Sequence, residues 1–396
     1  MKPNRTKRTG VTARAGKGKD AGFHLVVAGC GGNIGSQLIC LLARMPGIFR
    51  LTLVDFDRYE AKNLYSQDIT PADLGQPKAK VQARRARRIN PKLEVIAIVD
   101  RLENIPLGLL RGNILLACLD SKESRRVANE IAWRLGMPLI DAGVEASALL
   151  ARVNVYMPGP DQPCLECAWG ERDYADLATL HPCSPGIPKT PSTNAPASLG
   201  ALTAGLQEIE CRKLLAGQTA DALIGRQVVM EMRTHKYFVT SFKRNLKCRF
   251  DHVTWTISPL KRDLRKIRLG KALELAGGPQ GGEALAFGGQ PLVKRLDCPG
   301  CGNSRRVFRL QRRLQRKDLI CERCEREMLS AGFHMKTRIS HADLGPGDAS
   351  RSLASLGLKI GDVISAGPRD QQNFFELHSA PKSRAKAKKS NHWRKS

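Results

Sequence analysis

The sequence predicts an α/β fold in which helices cover both faces of a parallel sheet, followed by a smaller module toward the C-terminal end. Strand-like stretches such as "HLVVAG", "NILLACLD" and "PLIDAGV" alternate with helical patterns. These strands are apolar almost throughout, which is typical of parallel strands that are buried on both faces. Toward the end of the chain, two Cys-x2-Cys pairs follow a glycine-rich stretch, which indicates a separate module.

The first strand and helix enclose a glycine-rich turn. "HLVVAG" is followed by Gly29, Gly31, Gly32 and Gly35, and the helix "NIGSQLICLLARM" begins within this run. A turn of this kind presents backbone N–H groups and a helix N-terminus to a phosphate. The second strand, "LTLVDFD", carries Asp55 at its end, 20 residues after Gly35. A ribose-binding acid has this placement in a Rossmann-like fold, so both a nicotinamide oxidoreductase and an ATP-dependent enzyme are possible at this point.

The remaining elements continue the alternation. "KAKVQARRARRI" and "SKESRRVANEIAWRLG" are predicted helices, and Ser121 caps the second of them. "LEVIAIV" is a strand, "RQVVMEMRTHKYFVTSF" resembles an antiparallel pair, and "SLGALTAGLQEIECRKLLAG" is another helix. The Pro- and Ser-rich segment from His181 to Ala197 is predicted to be a loop, and "GGPQGGEALAFGG" a linker.

Composition excludes several classes of protein. The 396 residues, 42% of them hydrophobic, are enough for two domains. No run of about 18 apolar residues is present and the N-terminus lacks an apolar signal core, so we expect a cytoplasmic protein without a membrane span. Aromatic residues make up only 5%, which argues against base stacking as the main activity.

Nearly half of the formal net charge of +28 lies in two terminal segments, residues 1–20 and 381–396. Both contain few apolar residues and are predicted to be disordered. Such tails attract nucleic acid or an acidic protein, or serve only to keep the chain soluble. The sequence does not separate these alternatives.

Six short stretches, in this order, identify a resemblance: "GCGGNIGS", "VDFD", "NLYSQ", "GQPKAK", "RINP" and "LDSKESR". Between about residues 21 and 256 the chain resembles the ThiF/MoeB family of adenylyltransferases, which includes the ubiquitin-activating enzymes. The resemblance implies ATP-dependent adenylation of the C-terminal carboxylate of a ubiquitin-like or sulfur-carrier protein ending in Gly-Gly. It also implies a homodimer.

The resemblance assigns roles to particular residues. Asp55 would hold the ribose hydroxyls, Asn63 and Lys78 would reach the phosphates, and Asp120 would hold Mg²⁺. The backbone at Gly29, Gly31, Gly32 and Gly35 would approach the phosphates of ATP. Lys78 and Asp120 would be catalytic, because AMP transfer needs positioning and positive charge at the phosphates.

Asp57, Ser66 and Arg125 lie within or beside the stretches that carry the resemblance. Asp57 is expected to cap a turn, and Arg125 either orients Asp120 or is simply solvated; a structural role is favoured. Ser66 departs from the family, which usually has an arginine at this position that neutralises phosphate charge. We expect a basic group from the N-terminal segment of a partner subunit to replace that arginine.

Twelve cysteines in a reducing compartment are not expected to form a disulfide framework, and the six that fall in three Cys-x2-Cys pairs indicate metal ligands. Cys298/Cys301 and Cys321/Cys324 have the spacing of a zinc ribbon, and the ribbon is strongly basic. Cys164 and Cys167 lie where the family has half of a structural zinc site. They pair either with Cys248 and His252 or with Cys298 and Cys301; we favour the first pairing.

Cys183 lies in the Pro- and Ser-rich segment and has no Cys-x2-Cys partner. Family members carry a cysteine near this position that accepts the activated carboxyl group as a thioester. His181 and Lys189 are near in sequence and would lower the pKa of the thiol. The alternative is a loop cysteine without a chemical role.

The predicted organisation has six parts: a basic tail (1–20), an adenylation domain (21–256), a helix and Gly-rich linker (257–290), a zinc ribbon (291–330), a small β-rich unit (331–380) and a second basic tail (381–396). ATP, Mg²⁺ and Zn²⁺ are the expected cofactors. Modification of a tRNA or another nucleic acid by adenylation or dehydration is the alternative function. A nicotinamide dehydrogenase and a non-enzymatic zinc scaffold are weaker ones.

Overall fold

The computed structural model describes residues 22–178, 195–263, 265–274, 284–368 and 371–379. The chain forms two compact units. The first contains Met1–Ile105 and Leu110–Trp255, and the second contains Pro106–Leu109 and Thr256–Ser396. The basic tails and the segment with Cys183 lie outside the described residues.

The first unit is built on a sheet of eight strands. In chain order they are β1 (Phe23–Ala28), β2 (Ile48–Val54), β3 (Glu94–Ile98), β4 (Ile114–Ala117), β5 (Leu139–Glu145), β6 (Leu150–Tyr156), β7 (Arg226–Glu231) and β8 (Lys236–Ser241). Their order across the sheet is β3-β2-β1-β4-β5-β6-β7-β8. The first five strands in this order pair in parallel, and β6 to β8 pair antiparallel.

Five helices belong to this unit: α1 (Asn33–Leu42), α2 (Lys78–Ile89), α3 (Lys122–Leu135), α4 (Glu171–Ala178) and α5 (Ala197–Leu215). The strand order reverses between β1 and β4, so right-handed crossovers put α3 on the face opposite α1 and α2. The predicted α/β fold with helices on both faces is therefore confirmed. Ligands of such folds bind beyond the carboxyl ends of the strands, at this reversal.

Burial of the strands explains why they are apolar throughout. Leu25, Val27, Leu51, Leu53 and Leu116 are inaccessible to solvent and form one core with the apolar sides of the helices. Each such side chain contributes about 1.5–3 kcal/mol through removal from water. Helix α3 has clear ends, because the Ser121 hydroxyl accepts from the Ser124 N–H and Gly136 adopts the left-handed conformation.

The second unit contains two further sheets. Its strands are β9 (Ile257–Lys261), β10 (Ala284–Ala286), β11 (Leu292–Asp297), β12 (Ser304–Leu310), β13 (Met335–Lys336), β14 (Arg338–Ile339), β15 (Val363–Gly367) and β16 (Asn373–His378), and its helices are α6 (Leu269–Glu274) and α7 (Arg316–Leu319). One sheet has the order β14-β10-β15-β16-β9 and the other has the order β12-β11-β13.

The stretch predicted to be a helix and a Gly-rich linker, 257–290, contains more structure than that. It has the helix α6, and it also has the strands β9 and β10, both of which belong to the five-stranded sheet. β9 pairs in parallel with β16, more than 100 residues later in the chain. A strand whose partner is that distant has no local signal in the sequence. Among the described residues, no helix is long and apolar enough to span a bilayer.

Candidate functional site

The glycine turn between β1 and α1 is shaped by close contacts. Gly29 has a φ of +77°, and a Cβ there would lie 2.4 Å from the carbonyl oxygen of Cys118, directly after β4. A Cβ on Gly31 would lie 2.3 Å from Cβ of Lys78. Gly35 packs against the turn itself, since its Cβ would meet the Gly29 carbonyl. These glycines bring the turn against β4 and α2, which only a residue without a side chain permits.

The N–H groups of the turn are not all available to a ligand. The Gly29 N–H donates to the Val54 carbonyl (N···O 2.9 Å), and the Gly31 N–H donates to the Asp55 carboxylate (2.9 Å). Gly32 is the N-cap of α1 and offers no side-chain acceptor, so no capping side chain accepts from the first N–H groups of the helix. Gly29 and Gly31 therefore act through their shape, and the N–H groups that remain for a ligand are those of the α1 terminus.

Asp55 follows β2 and is buried, with 8% of its surface exposed. Its Oδ2 accepts from the Gly31 N–H and its Oδ1 accepts from the Asp57 N–H at 3.1 Å. Burial raises the pKa of Asp55 to about 6, although Lys78 and the two N–H donors oppose this shift. The carboxylate is therefore fixed against the glycine turn, with its charge incompletely stabilised.

Lys78 begins α2 and is also buried, its side chain 9% exposed. Its Nζ lies 3.3 Å from Oδ2 of Asp57 and 5.7 Å from the centre of the Tyr59 ring. Its backbone N–H donates to the Asp57 carbonyl at 2.9 Å. Asp57 thus holds Lys78 in place from two sides, which goes beyond the turn-capping role that we expected for it.

Asn63, Ser66 and Gln67 line the segment between β2 and α2. The Asn63 side chain is buried and its Oδ1 accepts from the Glu60 N–H (2.8 Å). The Ser66 carbonyl accepts from Nδ2 of Asn33 (2.7 Å), in the first turn of α1. Within the described part of the chain, the buried Oε1 of Gln67 has no hydrogen-bond partner, so it remains free to accept from a ligand.

Asp120 follows β4 and is exposed. Arg125, in the first turns of α3, donates to the Leu119 carbonyl, directly before Asp120, and to the Asp141 carboxylate. Asp141 is inaccessible to solvent and also accepts from Nη1 of Arg152 at 2.9 Å. Arg125 is therefore not simply solvated: its side chain is 12% exposed and has a structural role, because it fixes the turn that presents Asp120.

The topology places these residues at one edge of the sheet. Asp55 follows the carboxyl end of β2 and Asp120 follows that of β4, whereas Lys78 begins α2. The strand order reverses between β1 and β4, next to these residues. Asn33, Asp141 and Arg152, which contact this region, were not predicted from the sequence. A signal existed for Asp141, since it is a lone carboxylate in the apolar strand "PLIDAGV".

Cys164, Cys167, Cys248 and His252 lie together, with their ligand atoms within 4.8 Å of one another. The Sγ atoms of Cys164 and Cys248 are 3.8 Å apart, and Sγ of Cys167 is 3.2 Å from Nε2 of His252. Tetrahedral zinc with Zn–S bonds of about 2.3 Å places sulfurs roughly 3.8 Å apart, so the donor set fits this ion.

The orientation of His252 agrees with a ligand role. Its Nδ1 lies 2.7 Å from the Phe250 carbonyl, which leaves Nε2 to face the three sulfurs. A partner of this kind commonly fixes the ring of a metal-binding histidine. The ring also packs edge-on against Trp133 of α3, with centroids 4.8 Å apart. The site therefore joins the segment after β8 to α3.

Cys298, Cys301, Cys321 and Cys324 form a second cluster of the same size. Sγ–Sγ distances are 3.4 Å for Cys298–Cys324 and 3.6 Å for Cys301–Cys321. Hydrogen bonds from the backbone N–H of Arg323 lower the pKa of Cys321 to about 6, which favours the thiolate that zinc binds. The four sulfurs fit a zinc ribbon beside β11 and β12.

The arginines of the ribbon are largely committed to internal ion pairs. Arg305 pairs with Glu322 (2.8 Å), Arg309 with Asp318 (3.4 Å) and Arg313 with the buried Asp362 (3.4 Å). Asp348, 1% exposed, pairs with both Arg306 and Arg351. These pairs stabilise the second unit and leave it less basic at its surface than its sequence suggests.

The chain is similar to known proteins over its first unit. The ThiF family model matches residues 13–250. Ubiquitin-like modifier-activating enzyme 5 of Branchiostoma floridae is 30% identical over 176 residues, covering 41% of this chain and 42% of that protein. The sulfur carrier protein ThiS adenylyltransferase of Escherichia coli is 30% identical over 148 residues, covering 37% and 57%. The matches thus span less than two thirds of these two relatives.

A longer match is to the molybdopterin-synthase adenylyltransferase of Salmonella typhimurium, 29% identical over 235 residues and covering 58% of this chain and 86% of that protein. Among solved structures, E. coli MccB with ATP has a TM-score of 0.47 and 22% identity, covering 57% of this chain and 65% of that one. The family model covers more than half of the sequence and includes the glycine turn, Asp55, Lys78 and Asp120. The chain belongs to the ThiF family.

Proposed function

We propose that the chain adenylates the C-terminal carboxylate of a ubiquitin-like or sulfur-carrier protein at the expense of ATP. The observation that carries the proposal is Asp55, a buried carboxylate that is bonded to the glycine turn and lies beside Lys78. Such a group at the end of β2 is suited to accept from ribose hydroxyls while the phosphates lie on the α1 terminus. Family relatives named as adenylyltransferases and activating enzymes support the same activity.

The reaction needs little covalent chemistry from the protein. A carboxylate oxygen of the carrier attacks the α-phosphorus of ATP, the bond to the bridging oxygen breaks, and pyrophosphate leaves with its electron pair. Lys78, buried next to the glycine turn, supplies positive charge to the phosphates as the charge moves onto the leaving group. Asn63 and Gln67 contribute hydrogen bonds on the same side.

Asp120 fits a magnesium ligand, because it is an exposed carboxylate in a turn that Arg125 fixes. Magnesium binds through one or two carboxylates and keeps several waters, so a single exposed acid is sufficient on the protein side. When bound, the ion neutralises charge on the phosphate oxygens. Asp120 would hold it at the reversal of the strand order.

We further propose that the activated carboxyl group is transferred to Cys183. The Cys183 thiolate attacks the acyl carbon of the acyl adenylate, the bond to AMP breaks, and AMP leaves as the thioester forms. Zinc is proposed for both clusters, with Cys164, Cys167, Cys248 and His252 as one set of ligands. The four ribbon cysteines are the other set. We also propose a homodimer.

ATP–pyrophosphate exchange tests the proposal directly. We expect exchange to depend on a small protein ending in Gly-Gly and to be lost when its terminal glycines are removed. Lys80→Ala, an exposed neighbour on α2, is the control for Lys78→Ala. Exchange that depended on tRNA instead would establish the alternative function, which the paired ribbon arginines do not favour. Absence of exchange with every Gly-Gly carrier would contradict the proposal.

A further inference from the structure

A short segment rich in cations precedes helix α6 in the second unit. Arg265, Lys266 and Arg268 lie within four consecutive residues and are all exposed. Within the described part of the chain, neither Arg265 nor Lys266 forms an ion pair or a side-chain hydrogen bond. Three ribbon arginines, by contrast, are ion-paired. Part of the charge that the sequence places on the ribbon is thus neutralised, whereas the charge of this segment is not.

Contacts with a second stretch of chain fix the position of this segment. The Leu269 N–H donates to the Arg351 carbonyl (N···O 2.8 Å), and Nη1 of Arg268 donates to the Ser350 carbonyl (3.0 Å). Ile267 and Leu269 are buried in the core of the second unit, so the backbone on both sides of Arg268 is anchored. The segment therefore lies directly beside the loop that carries Arg351.

Two further arginines at this loop are held in fixed orientations. Asp348 is 1% exposed and accepts from Arg306 and from Nε of Arg351 (3.2 Å). Both guanidinium groups also lie over the ring of Phe308, at 5.7 Å and 5.5 Å from its centre. The side chains of Arg306 and Arg351 are nevertheless 44% and 37% exposed. One buried carboxylate thus orients two arginines and neutralises the charge of only one.

The composition of this cationic surface (Arg265, Lys266, Arg268, Arg306 and Arg351) indicates the kind of partner it fits. Four of the five cations are arginines, whose planar groups suit phosphate oxygens. None of the large hydrophobic side chains that are exposed among the described residues lies in 265–274 or 341–359. Protein interfaces have an apolar centre, whereas nucleic-acid interfaces are more polar and strongly positive. The surface therefore fits a nucleic acid better than an acidic protein.

We propose that the cationic surface of the second unit binds the phosphate backbone of a nucleic acid, independently of base sequence. Its cations contact phosphates rather than bases, because no exposed aromatic ring lies in 265–274 or 341–359 for stacking. DNA and RNA share this phosphodiester chemistry. The inference goes beyond the proposed function, since it concerns another unit of the chain and involves neither ATP nor a carrier protein.

Salt dependence of binding tests the proposal, measured by fluorescence anisotropy of a labelled DNA duplex with the full-length, zinc-loaded protein. Each phosphate that a cation neutralises adds about 0.9 to the slope of log affinity against log salt. The double variant Arg265→Gln/Lys266→Gln should therefore lower the slope by about 2, so that wild type loses about tenfold more affinity between 50 and 200 mM salt. Arg265→Lys/Lys266→Arg should keep the wild-type slope. Arg316→Gln/Lys317→Gln removes the same charge from exposed residues of α7 and should also keep it.

The terminal basic segments are present in every variant, so the comparison isolates the cationic surface. An unchanged slope in Arg265→Gln/Lys266→Gln, or an equal decrease in the α7 variant, overturns the inference. Poly-glutamate that binds as tightly as the duplex, with the same loss in Arg265→Gln/Lys266→Gln, identifies an acidic protein as the partner and also overturns it. An RNA duplex of the same sequence distinguishes the two sources, and the one bound more tightly is the partner. Pyrophosphate exchange should be the same in all these variants, so this result leaves the proposed function untouched.

Discussion

The pKa of Asp55 gives a quantitative test of nucleotide binding. Burial raises this pKa to about 6 from an ordinary value of 3.8. If only the ionised carboxylate accepts from the ribose, the competent fraction falls from about 97% at pH 7.5 to about 9% at pH 5. Affinity for adenosine should therefore drop about tenfold. Adenosine is the right probe, since it has no phosphate that titrates in this range.

The measurement is isothermal titration calorimetry with adenosine and 2′-deoxyadenosine at pH 7.5 and pH 5. Wild-type protein should favour adenosine strongly at pH 7.5 and weakly at pH 5. Asp55→Asn should bind both ligands weakly, with no dependence on pH. Equal affinity for adenosine at the two pH values, or no preference for it over the deoxy analogue, would refute the role of Asp55.

Stability provides an independent check that Asp55 titrates where expected. The pKa of Asp55 is raised in the folded state, so its ionisation lowers the free energy of unfolding. This loss is absent below pH 3.8 and reaches its full value of about 3 kcal/mol above pH 6. Between pH 7.5 and pH 5, the unfolding free energy of wild type should rise by about 1.4 kcal/mol relative to Asp55→Asn. Urea denaturation at both pH values measures this difference.

The other predictions concern charge and metal. Lys78→Ala should lower pyrophosphate exchange by at least about 100-fold, while Lys80→Ala retains it. Wild-type protein should contain two zinc ions per chain and Cys248→Ser should contain one, as measured by mass spectrometry of the metal; one zinc in the wild type would exclude two sites. Deletion of residues 1–20 should cut adenylation, and full activity of the truncated protein would contradict compensation of Ser66 by this segment.

Features that depend on neighbouring residues could be predicted from the sequence. The glycine turn, Asp55 and the start of α2 are set by strand–turn–helix connections, so short stretches of sequence specify them. The hydrogen bonds inside the turn could not be predicted in this way. We expected all four glycines to open the backbone to phosphate, yet the Gly29 and Gly31 N–H groups are occupied by Val54 and Asp55.

Distant partners were predictable only where the residue types are rare. Cys164 and Cys248 are 84 positions apart, but few cysteines remained to complete the set once the ribbon was assigned. Arginine and aspartate are too common for such elimination. The ribbon arginines therefore suggested a basic surface, whereas Arg306 and Arg313 pair with carboxylates 42 and 49 residues away. Net charge in a segment does not indicate which of its charges meet each other in the fold.

The charge around the glycine turn bears on how Ser66 is tolerated. Lys78 lies against the turn, but Asp57 is 3.3 Å from its Nζ and offsets part of its charge. Arg125 is committed to the buried Asp141, so it does not replace the missing arginine. A triphosphate carries about four negative charges, and one partly neutralised lysine and a helix terminus balance few of them. Residues 1–17 of this N-terminal segment contain lysines at 2, 7 and 17 and arginines at 5, 8 and 14. If this segment supplies the missing charge from a partner subunit, its removal should raise the KM for ATP more than it lowers kcat. Added salt screens the contact in the full-length protein, so the difference in activity between the full-length and truncated proteins should become smaller at high salt.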